Sequence, residues 1–176
     1  MNKTPQPQDI TIFGRRTHVW IGGIGPPMLL LHAAWGDAEM SWISVWKDLS
    51  RSFTIIAPDL PGFGQSSSVP RPSFSVMAQM QKELLSLLNV DKVIVAGNSF
   101  GAAVASQFAS AYPKAVSQLV LVNGGYVPDI PESVKYIISM PLLKQGAFHS
   151  HAQAYVLPSY ASKIICQHIK APSGFF

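Results

Sequence analysis

Apolar residues along this chain follow two rhythms that alternate with each other. Short runs, broken only by Thr54, occur at Met28–Leu31, Phe53–Ala57, Val93–Ala96 and Leu119–Val122. Runs of four or five apolar residues suit strands covered on both faces. Between them the apolar positions fall three and four apart. Trp42, Val45, Trp46 and Leu49 predict a helix that Ser41 can cap, and Met77, Met80, Leu84, Leu87 and Leu88 predict a second beginning near Ser73–Ser75. A third runs from Phe100 to Tyr112 and is stopped by Pro113, its alanines suited to close packing on a sheet. Ahead of these, Ile10 to Ile21 reads as two antiparallel strands around a Gly14 turn, preceded by a loose tail over 1–9.

Apolar strands alternating with amphipathic helices predict an α/β fold, a mostly parallel sheet with helices on both faces and an N-terminal antiparallel hairpin. In such sheets functional residues gather at the carboxyl ends of the strands. His32, Asp59, Ser99 and Asn123 each stand at or just beyond such an end, so one rim should hold all four. Beyond Gly124 the alternation stops. Residues 126–176 carry Pro128, Pro131, Pro141, Pro158 and Pro172, with helical patches at Val134–Met140 and Ala152–Leu157. The expected organisation is a tail over 1–9, a core over 10–125 and the start of a cap or lid over 126–176.

Charged residues make up 12% of the chain, about half the usual quarter. A domain so poor in charge leaves apolar surface uncovered unless something else covers it. The net charge is +4, but the only adjacent basic pair is Arg15-Arg16, and the scattered remainder does not form a nucleic-acid footprint. The single cysteine, Cys166, excludes an intrachain disulfide and a multi-cysteine metal site. The start, MNKTPQPQDI, has no apolar signal segment, and no apolar run is long enough to span a membrane. A cytoplasmic protein without a membrane span is the expectation.

The chemistry concentrates in Val93-Ile94-Val95-Ala96-Gly97-Asn98-Ser99-Phe100-Gly101-Ala102, where G-x-S-x-G joins a strand to a helix. The pentapeptide alone says little; its strand–helix context makes it a nucleophile elbow rather than a glycine-bounded turn with an ordinary serine. The sharp turn forces Ser99 into a strained backbone conformation and exposes its Oγ. Gly97 and Gly101 are needed because side chains there would clash across the turn. The Phe100 amide then faces a developing oxyanion at the helix N-terminus. A second oxyanion donor is expected from the loop His32-Ala33-Ala34-Trp35-Gly36, where a small residue lets the backbone approach a substrate carbonyl. Ala34 is the first choice and Ala33 the second.

Three motifs, LLLHAAWG, IIAPDLPGFGQS and VIVAGNSFGAA, occur in the order and at the spacing of the α/β-hydrolase family, which residues from about 10 to 125 resemble. The family usually has His-Gly where this chain has His32-Ala33. The resemblance implies hydrolysis of an ester-like bond of a small apolar substrate through an acyl-serine intermediate, with no cofactor and no metal. Trp35, Phe100, His32 and Asn98 would lie about the pocket, His32 chiefly as a structural residue of its loop. Asn98-Ser99-Phe100 also resembles the elbow of hydrolases that cleave carbon–carbon bonds of ring-fission products. A serine nucleophile argues against the relatives that open epoxides or haloalkanes, which use Asp. Asp59, preceding the nucleophile, resembles a turn residue whose carboxylate accepts backbone N–H groups.

The family order places an acid and then a His after the nucleophile, on strands beyond the cap. No Asp or Glu follows Glu132, and the chain reads as the N-terminal part of the fold, with one sheet edge bare. Where some relatives carry the acid, this chain has Asn123. An internal triad of Ser99, Asp129 and one of His149, His151 or His168 is a further arrangement, and a non-catalytic fragment lacking base and acid is the reading from outside enzymology. Two other patterns are set aside. Gly22-Gly23-Ile24-Gly25 precedes a strand and has Met28 where a dinucleotide fingerprint needs a third glycine, and His149-Ser150-His151 has no carboxylate or thiolate beside it to complete a metal site.

Overall fold

A computed structural model describes residues 4–124 and the strand Ala154–Pro158. One seven-stranded sheet organises them: β1 (Gln6–Ile12), β2 (Arg15–Gly23), β3 (Pro27–Leu31), β4 (Thr54–Pro58), β5 (Val93–Asn98), β6 (Val116–Val122) and β7 (Ala154–Pro158). The order across the sheet is β1-β2-β4-β3-β5-β6-β7. β4, β3, β5 and β6 are parallel, whereas β1–β2, β2–β4 and β6–β7 pair antiparallel. Three helices connect the parallel strands: α1 (Ala38–Leu49), α2 (Phe74–Leu87) and α3 (Phe100–Ala111).

The short apolar runs are explained by two cores, one on each face. Leu29, Leu31, Ile56 and Val95 point to one face, where α2 supplies Met77, Met80 and Leu84 and α3 supplies Val104 and Phe108. Met28, Leu30, Ile55, Ala57 and Ala96 point to the other and pack on Trp42 and Trp46 of α1. Each strand therefore needs apolar residues at consecutive positions, because alternate side chains enter different cores.

β3 lies between β4 and β5, so the chain leaves it to one side through α1 and returns to the other through α2. That reversal makes the carboxyl ends of β3 and β5 a topological switch point, where α/β sheets open a crevice. His32 follows the first strand and Ser99 the second.

Several local expectations are corrected. β1 begins at Gln6, so the loose tail is shorter than 1–9, and Gln6 to Asp9 pair with His18 to Ile21. The N-cap of α1 is Asp37, whose carboxylate accepts the Met40 amide at 2.8 Å; Ser41 lies inside the helix. Val45 and Leu87 are exposed rather than core-facing, and Ala78, Gln81 and Leu85 are buried on α2 instead. The residues predicted as a helical patch over Ala152–Leu157 supply β7, which pairs with the outer side of β6. That edge of β6 is therefore covered. Periodicity cannot separate strand from helix in so short an apolar run, and the β6 backbone decides it. The remaining cap expectations, including Val134–Met140, fall outside the described residues.

Candidate active site

Ser99 sits between β5 and α3 with φ 52° and ψ −110°, a conformation that side chains with a Cβ rarely adopt. Its amide donates to the Val122 carbonyl at 2.9 Å, and its carbonyl accepts from Ala102 at 2.9 Å, so both sides of the strained residue are pinned. The flanking glycines are required by contact. A Cβ on Gly97 would stand 2.7 Å from Ala102 Cα, and one on Gly101 would stand 2.6 Å from the His32 carbonyl oxygen. The end of β3 and the first turn of α3 thus touch backbone to backbone. Ser99 is exposed. No side chain caps α3, which leaves the amides of its first turn without an intrahelical acceptor beside the Ser99 hydroxyl.

On the neighbouring loop, Ala33 is half-buried and Ala34 exposed. The Ala33 amide donates to Ser41 Oγ at 3.4 Å. His32 is completely buried. Its Nε2 accepts the Leu60 amide at 2.8 Å, and its Nδ1 lies 2.6 Å from the Ala33 carbonyl oxygen. A backbone amide can only donate and a carbonyl only accept, so Nε2 is bare and Nδ1 carries the proton. Burial holds this imidazole below its ordinary value of 6.5, opposed by the Ala33 carbonyl and the charges of Asp59 and Asp37. His32 therefore does not line an open pocket, correcting that part of the sequence expectation. Both ring nitrogens are spent inside the protein.

Asp59 is also buried, and its carboxylate accepts Ala38 N–H and Gln65 N–H, each at 2.9 Å. It ties the PDLPGFGQS turn to the start of α1, as the turn-residue reading expects. Trp35 is largely exposed at 71%. Asn98 is half-buried, and its Oδ1 accepts from Asn123 Nδ2 at 3.3 Å. Asn123 itself has φ 53°, and a Cβ on the following Gly124 would lie 3.3 Å from Ser99 Cα. The four strand-end residues thus fall into two kinds: Ser99 and Asn123 are exposed, His32 and Asp59 are internal struts.

Sequence reasoning reached Phe100 but not the aromatic side chains it packs on. Phe63 packs on His32 with ring centroids 5.2 Å apart, and Phe100 packs on Phe63 at 5.5 Å and on Phe74 at 5.4 Å. Phe63 belongs to a motif singled out only for its aspartate and glycines, and Phe74 carried no signal beyond its place at a helix start. Among the described residues, no three His, Cys, Asp or Glu side chains gather as a metal site, and no helix is long and apolar enough to cross a membrane. Asp129, His149, His151 and His168 lie outside the described residues.

A family model for the alpha/beta hydrolase fold matches residues 26–153. The chain belongs to that family. An uncharacterized protein of Mycobacterium tuberculosis is 40% identical over 140 residues, which cover 78% of this alpha/beta hydrolase and 40% of the relative. The 2-hydroxy-6-oxo-2,4-heptadienoate hydrolase of Pseudomonas putida is 30% identical over 141 residues, 69% of this chain and 51% of that one. Among solved structures, the epoxide hydrolase CorEH superposes with a TM-score of 0.67 at 33% identity, covering 76% of this chain and 49% of its own. The chain thus spans about half or less of the length of these relatives.

Proposed function

We propose that Ser99 is the nucleophile for hydrolysis of an ester-like bond in a small apolar substrate. The observation that carries this reading is the backbone of Ser99, held at φ 52° between Gly97 and Gly101 at the exposed head of α3. Strain of this kind persists where surrounding structure enforces it, and here it presents a hydroxyl to a helix N-terminus. Ser99 Oγ attacks the carbonyl carbon and passes its proton to a base, while the Phe100 and Ala34 amides hold the resulting oxyanion. The leaving alcohol departs with a proton, and water then cleaves the acyl-serine. Trp35 and Asn98 border the substrate. Neither described histidine serves as the base: Leu60 and Ala33 engage both nitrogens of His32, and Asp9 holds Nδ1 of His18 at 2.8 Å.

The P. putida relative supports a second reading, cleavage of a carbon–carbon bond in a ring-fission product by the same serine. Epoxide opening fits the residue less well. A serine alkoxide attacking an oxirane would leave an ether, which water does not cleave, whereas a carboxylate would leave a hydrolysable ester.

The test is labelling of the purified chain with a fluorophosphonate, with Ser99→Ala as control. Labelling of the wild type that disappears in the variant is expected. Folded protein that stays unlabelled would overturn catalysis by this chain and leave the non-catalytic reading. Product analysis separates the two hydrolytic readings: acid plus alcohol for an ester, acid plus dienoate for a carbon–carbon bond.

A further inference from the structure

The turn between β1 and β2 is two residues long, because Ile12 pairs with Arg15. Both residues of the turn hold a positive φ, Phe13 at 48° and Gly14 at 73°. Such a turn suits Asn or Asp at its first position and resists a bulky side chain there. Packing does not offset the strain, since Phe13 is 59% exposed. A large aromatic residue that is both strained and exposed points to a role other than holding the fold.

Phe13 forms one wall of a cleft of about 290 Å³, close to the lower bound of small-molecule sites. Val69, Pro70 and Val76 form the others, with the buried Met80 among them. Arg15, Arg71 and Gln79 also line the cleft, and no carboxylate does. Arg15 is anchored by donating from one nitrogen to the Ser68 carbonyl at 2.9 Å, which leaves most of its N–H groups available. Arg71 is exposed. Among the described residues neither arginine has a carboxylate at ion-pair distance: Asp9 pairs with Arg16 and His18, and Asp48 with Arg51. Apolar walls beside two uncompensated guanidinium groups are complementary to an anion that carries an apolar tail. A bare phosphate would leave the walls unused, and a hydrocarbon would leave the arginines unused.

We propose that this cleft binds a free aliphatic carboxylate of medium length, its head on Arg15 and Arg71 and its tail along Phe13, Val69 and Val76. The recess suits a single chain rather than a membrane surface, because Met80 is buried within its lining. The site belongs to the hairpin turn and the first turns of α2, and it does not depend on the reading of Ser99.

Decanoate, kept below its micelle concentration and titrated into the full chain, should saturate one site and shift the amide NMR signals of Val69, Arg71 and Val76. Decyltrimethylammonium, with the opposite charge, should bind at least about tenfold more weakly, and Arg71→Gln should weaken decanoate by about tenfold. Phe13→Asn should weaken it by about tenfold as well while raising the urea midpoint, since Asn accepts the turn that Phe13 strains. Ser99→Ala should leave decanoate binding at the cleft unchanged. Equal binding of the cation, full affinity in either cleft variant, or shifts confined to residues around Ser99 would overturn the proposal. So would binding to phosphatidylglycerol vesicles without binding of monomeric decanoate, which would give this surface to a membrane instead.

Discussion

At Ser99 the backbone stores energy that the side chain does not relieve. A non-glycine residue in such a region costs about 1–3 kcal/mol. Ser99→Ala keeps the Cβ and the strain, so its urea midpoint should match wild type. Ser99→Gly removes the clash and should add about 1 kcal/mol of stability while abolishing labelling; an unchanged midpoint for both would mean the residue is not strained. The reverse holds at Gly101, where an added methyl meets the carbonyls of Leu31 and His32. Gly101→Ala should lose about 3 kcal/mol, because neither a strand end nor a helix start can give way cheaply. His32 contributes through its proton. Its folded-state pKa lies below the unfolded 6.5, so the unfolded chain binds the extra proton more readily. The stability this gives is fully present above pH 6.5 and is lost as pH falls below it toward the folded pKa. Denaturation midpoints measured from pH 8 to pH 5 should fall more steeply for wild type than for His32→Asn, which has no group to titrate there; parallel curves would contradict this.

At the level of elements, caps decide where helices begin. Asp37 starts α1 by accepting the Met40 amide, and Ser73 starts α2 by accepting Val76 at 3.2 Å. Asp37→Ala and Ser73→Ala should each cost about 1 kcal/mol, read from urea melts. Ser41 looked like the cap because it directly precedes the apolar stripe, but Asp37 four residues earlier competes for the same role. The structure also gives the Ser41 hydroxyl another task, accepting from Ala33 beside the site. Sequence showed the existence and type of β3, β4, β5, β6 and all three helices. It missed the first residues of β1, which are polar and gain their strand form by pairing along the hairpin with β2, and the whole of β7, which pairs with a strand more than 30 residues earlier.

For the whole molecule, β3 is the shared element. Leu29 and Leu31 serve one core and Leu30 the other, each fully buried. The two faces should therefore unfold together. Leu29→Ala and Leu30→Ala should each lose about 3 kcal/mol. Tryptophan fluorescence of a Trp35→Phe background, reporting Trp20, Trp42 and Trp46 on the α1 face, should then give the same midpoint as far-ultraviolet circular dichroism. Separated midpoints would show two independently melting layers.

What the sequence determined by itself is what short-range chemistry dictates: apolar runs long enough only for strands, stripes at helical spacing, and a serine between two glycines at a strand–helix junction. From these came the α/β class, the family resemblance and Ser99. Only the tertiary structure decided which strand-end residues reach the surface. His32 and Asp59 occupy the same formal position as Ser99, yet backbone groups far away in sequence, the Leu60 amide for one and the Ala38 amide for the other, hold both inside. The Ala33 amide likewise meets a partner eight residues on, the Ser41 hydroxyl at 3.4 Å, which no apolar pattern announces. A linear pattern records what each residue can donate or accept, whereas partners are assigned only when the folded backbone brings the donors and acceptors together.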